Sequence, residues 1–517
     1  MPDETDESLG LVLREVRRWL ARDVDAAAIE RDRKIPASVL ATAAQLGLFG
    51  LAIPERWGGL GLGLSGACRV VAEIATRDRS VATTIGLHNG LGTRGLVELG
   101  TDAVRDRWLP RLAAGEAIAA FAATEPGAGS DLASVRTTAV EDGDHLRLDG
   151  EKAYVTNGGF ASTFTVLART PGFGGARAFS LLLVPRDTPG IEIGPEEHKL
   201  GLYGSSTVTV RFDGARIPRD HVLGAPGAGL DGAHAVLVWG RTLMSAGCVG
   251  TGRAAIDMTV QHVTTRKQFG KPIGDPARSR AHLATMASSL YAAEALVTRV
   301  ARDADRGASV ATTSAMAKVL ASETACDAAD RAIQLHGALG YIEETGVARL
   351  LRDCRVTRIF EGANDVLLAR VGTELLAAPR GSRDAAVGPT HTALAAERAA
   401  HTELVGRMHA AIDQARAKHG VTVIRRQLLL ERVARAATAL EAVDAAICTA
   451  SERGTERDLA LAAHAASRLC VIAAQELDSL GRTEQDTERD AGITDALYAT
   501  VTGSVATRER KTTEART

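Results

Sequence analysis

No apolar run in the 517-residue sequence approaches the roughly 18 residues that a helix needs to cross a bilayer. Neither sign of charge dominates: 61 Lys and Arg stand against 63 Asp and Glu, a net charge of −2. A nucleic-acid or anionic-membrane partner would be gripped by a basic excess, and none is present. Cysteine is sparse. Cys68, Cys248, Cys326, Cys354, Cys448 and Cys470 form no CxxC pair and have no histidine at ligand spacing. They read as small buried hydrophobes, not as disulfides or zinc ligands, and no metal site is expected. The opening MPDETDESLG is acidic and polar, unlike a secretory or transit peptide. The expectation is a cytoplasmic protein of bacterial composition. Internal repeats are also missing. What is there is a chain 45% hydrophobic and 24% charged, long enough for two to four packed domains.

Periodicity divides it. Residues 1–120 read as helix: SLGLVLREVRRWLARDV and PASVLATAAQLGLFGL repeat apolar residues at three- and four-residue spacing. Residues 121–230 change to short β-branched or apolar runs, FTVLAR, AFSLLLVP and STVTVRFDG, separated by Gly, Pro and Asp. That pattern predicts an antiparallel sheet or barrel. Residues 231–376 return to long Ala-rich amphipathic helices. Residues 377–395, around PRGSRDAAVGPT, read as a linker, and 396–517 as a further helical region with a frayed tail. The fold class is α+β, mostly α.

Two glycine patterns are decoys. GLGLSG (61–66) fits GxGxxG, but a turn precedes it where a dinucleotide fold needs a strand. GTGRAA (250–255) sits inside a helical pattern, where small residues serve close packing.

Five short stretches could carry chemistry. TEPGAGSD (124–131) offers the hydroxyls of Thr124 and Ser130, and Gly129 exposes backbone N–H groups. It is either a tight turn or a loop that grips a planar cofactor or a thioester carbonyl. KAYVTNGG (152–159) places an aromatic, Tyr154, two residues before Thr156, which suits stacking on a flat ring. TTRKQFGKPI (264–273) holds Arg266, whose planar fork matches phosphate, with Phe269 one helical turn on. QLHGALGY (334–341) brings Gln334 and Gly337 to a helix end. RIFEGANDV (358–366) then sets Glu361 between Ile359–Phe360 and Gly362. Taken alone it is a solvated loop acid or a base partly stripped of water, which raises its basicity.

In this order, IPERWGGLGL, TEPGAGSD, KAYVTNGG, RKQFGKPIG and IFEGAND resemble the acyl-CoA dehydrogenases. The resemblance covers essentially the whole chain. KHGVTVIRRQLLLERVARAATALEAV is similar to the extra C-terminal helical domain of the very-long-chain branch. It implies a helical N-terminal domain, a β-barrel-like middle domain, a helical bundle, and FAD between them. Phe121, Thr124, Gly129, Ser130, Tyr154 and Thr156 would line the flavin, with Ala363 and Asp365 in the turn beside it. Arg266 and Phe269 would meet the pyrophosphate and adenosine end of a neighbouring subunit's FAD, completed by Gln334 and Gly337. A homodimer follows. Ser130, Leu87, Arg241 and Gly362 would contact the acyl thioester, Arg241 through its pantetheine arm. Glu361 would take the α-proton while the β-hydride leaves to flavin.

Some positions depart from the family pattern. Ala363 stands where threonine is usual, Ala338 replaces a glycine, and Tyr203 occupies a place expected to be polar or basic near the CoA phosphates. The branch's membrane-associating segment is largely missing, which argues against membrane binding. These departures keep a second reading open. On it, a biosynthetic flavoenzyme of the same scaffold acts on a carrier-protein thioester or β-keto acid, as an oxidase, monooxygenase or decarboxylating enzyme. The electron acceptor is then oxygen in place of an electron-transfer flavoprotein.

Overall fold

The computed structural model describes residues 4–175, 178–378 and 388–480. Most of the linker stretch and all of the C-terminal tail lie outside them. Seven helices come first: α1 (Glu4–Asp23), α2 (Ala26–Asp32), α3 (Ala37–Gln45), α4 (Gly63–Ala75), α5 (Arg79–Leu87), α6 (Arg94–Leu99) and α7 (Asp102–Ala113). GLGLSG lies at the start of α4 after two 3₁₀ turns, with no strand before it among the described residues. The N–H groups of Leu64 and Ser65 are taken by the Asp305 carboxylate at 2.7 and 2.9 Å, so a side chain caps this end.

Eight strands follow: β1 (Ala119–Ala122), β2 (Thr138–Asp142), β3 (His145–Thr156), β4 (Thr163–Arg169), β5 (Phe179–Pro185), β6 (Ile191–Glu196), β7 (Thr207–Pro218) and β8 (Val222–Leu223). They form one sheet in the order β6-β7-β3-β2-β4-β5-β8, with β1 added parallel to β4. The sheet is therefore mixed, although most pairs are antiparallel as expected. The alternation of side chains sorts β4 and β5 between two cores. Phe164, Val166, Leu182 and Val184 point into the concave core with Leu146, Val208 and Phe212. Leu167, Leu181 and Leu183 point the other way, onto Trp108, Leu109 and Leu112 of α7.

The chain then returns to helix in α8 (Gly229–Thr265), crosses a small hairpin of β9 (Lys267–Gln268) and β10 (Lys271–Pro272), and continues. Next come α9 (Ala277–Asp305), α10 (Ala311–His336), α11 (Ala338–Tyr341), α12 (Val347–Arg355) and α13 (Asn364–Ala377). Beyond the linker lie α14 (Ala395–His419), α15 (Gln427–Arg453) and α16 (Glu456–Leu480). One hydrophobic cluster runs through α4, α8, α9, α10, α13, α15 and α16. Small residues allow the close crossings. A Cβ at Gly250 of α8 would strike the Ala72 carbonyl of α4, and one at Gly372 of α13 would strike the Leu430 carbonyl of α15. Backbone cannot swing aside as a side chain can. Gly372→Ala is thus expected to cost about 1–3 kcal/mol, read from urea unfolding.

Candidate functional site

The sheet, α5, α8 and the turn before α13 converge on a cavity of about 910 Å³. One wall is α8, through Gly240, Leu243 and Met244. Another is α5 and its continuation, through Ala82, Gly86, Leu87 and Leu91. The sheet side presents Phe121, Thr124, Gly129, Ser130, Tyr154 and Thr156.

Glu361 reaches this cavity from a strained turn. Its φ is +57° and that of Gly362 is +105°, a conformation that costs a residue with a Cβ. The surroundings hold it. Arg241 Nε donates to the Glu361 carbonyl at 2.9 Å. Lys318 Nζ donates to the Gly362 carbonyl at 2.8 Å and to Asn364 Oδ1 at 2.7 Å. Asn364 Nδ2 in turn donates to Ser322 Oγ at 3.1 Å and Glu323 Oε1 at 2.8 Å. Gly240 gives the carboxylate its room: a Cβ there would lie 2.7 Å from Glu361 Oε2. That oxygen is shut off from solvent and has no hydrogen-bond partner among the described residues. Burial pushes the Glu361 carboxyl up to about 7, against the opposing pull of Arg241, Lys318 and Arg79. Burial also brings the Lys318 ammonium down to about 8. Of the flanking pair expected from sequence, Phe360 is half-buried against the helical core and Ile359 is not. Ile359 is 56% exposed, and the apolar cover comes from α8 and Leu91. A carboxyl in this state is a base near neutral pH, pointed into an apolar space.

The opposite wall is fixed by a buried ion pair. Lys152 of β3 is fully buried, and its Nζ donates to Glu125 Oε1 at 2.9 Å and to the Ala123 carbonyl at 3.0 Å. Glu125 also takes the N–H groups of Arg136 at 2.6 Å and Thr137 at 2.8 Å. Burial pushes the Lys152 ammonium down to about 8, and Glu125 pulls it back up. The Ala153 N–H donates to the Thr124 carbonyl at 2.9 Å. Pair and backbone bond together pin the TEPGAGSD loop to β3. The hydroxyls of Thr124, Ser130 and Thr156 face the cavity and bond no other protein group among the described residues. Tyr154 (φ +56°, 65% exposed) stands at the rim.

Eleven of the residues singled out from sequence line this one cavity: Leu87, Phe121, Thr124, Gly129, Ser130, Tyr154, Thr156, Arg241, Glu361, Gly362 and Ala363. Arg266, Phe269, Gln334, Gly337 and Asp365 do not. Asp365 is exposed in the first turn of α13, where a carboxylate suits the helix dipole. Arg266 lies 25 residues beyond Arg241, about 37 Å along α8, too far to touch the same cavity of the same chain. Arg266 and Phe269 also do not share a helical face. Arg266 ends α8, and the next residues turn through the β9–β10 hairpin with Phe269 fully exposed at φ +53°. His262 stacks on His336 at 4.3 Å, joining the ends of α8 and α10 where Arg266, Gln334 and Gly337 lie.

Sequence reasoning missed Arg79 and Lys318. Lys318 had a legible signal, a lone charge within the small apolar run SAMAKVLAS. Tyr203 is not without positive charge: the guanidinium of Arg33 lies 4.1 Å from its ring centre and that of Arg352 5.7 Å. Helix α13 starts with Ala363 at its cap position and no side-chain cap. Ala363→Thr is expected to add about 1 kcal/mol of stability, measured as a higher unfolding midpoint.

Three family models match in succession: the acyl-CoA dehydrogenase N-terminal domain over residues 6–116, the middle domain over 120–215 and the C-terminal domain over 227–376. The chain is 40% identical over 331 residues to the very long-chain specific acyl-CoA dehydrogenase, mitochondrial, of Homo sapiens, covering 62% of this chain and 50% of that protein. It thus spans about half the length of that relative. To a probable acyl-CoA dehydrogenase of Mycobacterium bovis it is 37% identical over 367 residues, covering 71% of this chain and 94% of that protein. Among solved structures, an acyl-CoA dehydrogenase complexed with FAD from Bacillus anthracis matches with a TM-score of 0.82 at 27% identity, over 92% of this chain and 88% of that one. The three domain matches in order, with a relative covered almost end to end, place the chain in the acyl-CoA dehydrogenase family.

Proposed function

We propose that this protein is a FAD-dependent acyl-CoA dehydrogenase that desaturates an acyl thioester between its α and β carbons. The observation that carries the reading is Glu361. A carboxyl brought to about 7 by burial lines an apolar cavity large enough for an acyl chain.

The sheet wall fits a flavin. Three unengaged hydroxyls and Gly129 face a space whose rim carries Tyr154, on a loop held rigid by Lys152 and Glu125. FAD bound there supplies the redox half of the desaturation. The chain's residues supply the rest. Ionised Glu361 accepts the α-proton on its carboxylate. Arg241 and Lys318 fix its backbone through the carbonyls of residues 361 and 362, so the carboxylate needs no reorganisation to act. Leu87, Leu91 and Leu243 exclude water around the acyl chain.

Arg266, Phe269, Gln334 and Gly337 belong, on this reading, to the FAD site of a second copy, which makes the protein a homodimer. Arg266 lies about 37 Å along α8 from Arg241, and Gln334 and Gly337 lie at the same helix end, which supports that assignment. Electrons pass on to an electron-transfer flavoprotein. Purified protein is expected to bind FAD and to lose its flavin colour anaerobically on addition of acyl-CoA. Colourless protein that cannot be loaded with FAD overturns the proposal. Bleaching only by carrier-protein thioesters, or oxygen uptake without another acceptor, favours the biosynthetic alternative.

A further inference from the structure

A cation stands in the apolar cavity without an ion-pair partner among the described residues. Arg79, the first residue of α5, is 4% exposed and lines the cavity. Its Nη2 donates to the Met244 carbonyl at 3.1 Å and approaches Cys248 Sγ at 3.8 Å. Its Nε is buried without a partner, and Nη1 makes no hydrogen bond among the described residues. No carboxylate among the described residues forms an ion pair with it, although its charge reaches Glu361. The neighbouring Asp78 is engaged by Arg349 and caps α5 through the Val81 N–H. The niche is specific: Nη1 occupies the space that a Cβ would fill at Gly247. An unpaired guanidinium in an apolar space is costly, so the fold alone gives no reason for it.

Helix α8 sets its distance from the base. Glu361 Oε2 sits against Gly240 and Arg79 Nη1 against Gly247. Those glycines are seven residues apart on one face, about 10 Å along the axis. Leu243 and Met244 line the cavity between them. An extended chain advances about 1.2 Å per bond, so about eight bonds bridge the two groups.

We propose that Arg79 is a specificity-determining residue that receives the terminal carboxylate of an ω-carboxyacyl thioester about ten carbons long. The assignment rests on the dehydrogenase reading above and adds the class of acyl group. A carboxylate fits the site: it accepts from the free Nη1 and neutralises the buried charge. A methyl terminus leaves that donor empty.

The test compares ω-carboxyacyl-CoA with unsubstituted acyl-CoA from six to fourteen carbons, using FAD-loaded wild type, Arg79→Met and Arg79→Lys. The wild type is expected to favour the ω-carboxy series by about 10- to 100-fold in kcat/KM, with an optimum near ten carbons. Arg79→Met is expected to reverse that preference, Arg79→Lys to retain part of it. Arg79→Met is also expected to melt at a higher temperature, since it removes an unpaired buried charge. Flavin bleaching by unsubstituted acyl-CoA with no preference for ω-carboxylates overturns the Arg79 assignment and leaves the dehydrogenase reading intact. So does an Arg79→Met protein that melts lower and loses both series equally, since that marks a structural arginine. Bleaching by neither series in the wild type overturns the dehydrogenase reading and the subsite with it.

Discussion

Glu361→Gln is expected to lower turnover by about 10²- to 10⁴-fold while FAD stays bound, and to make the protein more stable above neutral pH. The two effects have one origin. The carboxyl titrates near 7 in the folded protein because burial penalises its charge, but near 4.5 when unfolded. The native state therefore holds its proton more tightly. Below pH 4.5 this residue costs the fold nothing by ionising. As pH rises toward 7 the unfolded chain is already ionised while the native carboxyl resists, and stability is lost. Above 7 the loss levels off at about 3 kcal/mol. Glutamine keeps the shape without the charge. Unfolding midpoints of wild type and Glu361→Gln should coincide near pH 4.5 and separate progressively to pH 8. Turnover of the wild type should rise over the same window, as the base ionises. Unchanged turnover in Glu361→Gln would mean that another group takes the proton.

The second large effect concerns the opposite wall. Lys152→Met is expected to cost about 3–5 kcal/mol, because it leaves Glu125 charged and buried without its partner. That is a large share of the roughly 5–15 kcal/mol by which proteins are stable. The pair is not therefore a large net source of stability, since burial disfavours the lysine's charge. Lys152→Met with Glu125→Gln should recover most of the loss. What the double variant should not fully recover is flavin affinity, since glutamine keeps only one of the two acceptor oxygens that tie the loop to residues 136 and 137. Urea unfolding and FAD titration of the three variants separate the two roles. A single variant as stable as wild type would show that water solvates Glu125 in place of the lysine.

The order of helical, sheet and helical regions was legible because each rests on local periodicity. The short apolar runs FTVLAR and AFSLLLVP, bounded by turn residues, and the three-to-four spacing in the long helices need no distant partner. Glu361 and the TEPGAGSD loop were legible as motifs. Their surroundings were not. What desolvates Glu361 comes from α8, some 120 residues earlier, and not from its neighbour Ile359. What holds its backbone comes from Arg241 and from Lys318 on α10. Arg79 lies 168 residues from Gly247, and only the fold shows that the missing Cβ of one is the niche of the other. The spacing of Arg266 and Phe269 misled for the opposite reason, since a three-residue interval was read as helical where the chain makes a hairpin.

The crossing of α8 and α4 at Gly250 sets a limit that can be expressed as a scale. Helix α8 is a ruler graduated in turns, each about 5.4 Å or some four to five chain bonds. The base stands at Gly240 and the guanidinium at Gly247, two graduations on. The ruler stops there, because at Gly250 the Ala72 carbonyl of α4 rests on the helix itself. On the proposed role of Arg79, acyl length on this scaffold is therefore quantised. Moving the arginine's niche back one turn shortens the accepted chain by about four carbons. Lengthening it along this axis requires α4 to move, a change that no single cavity-lining substitution can make.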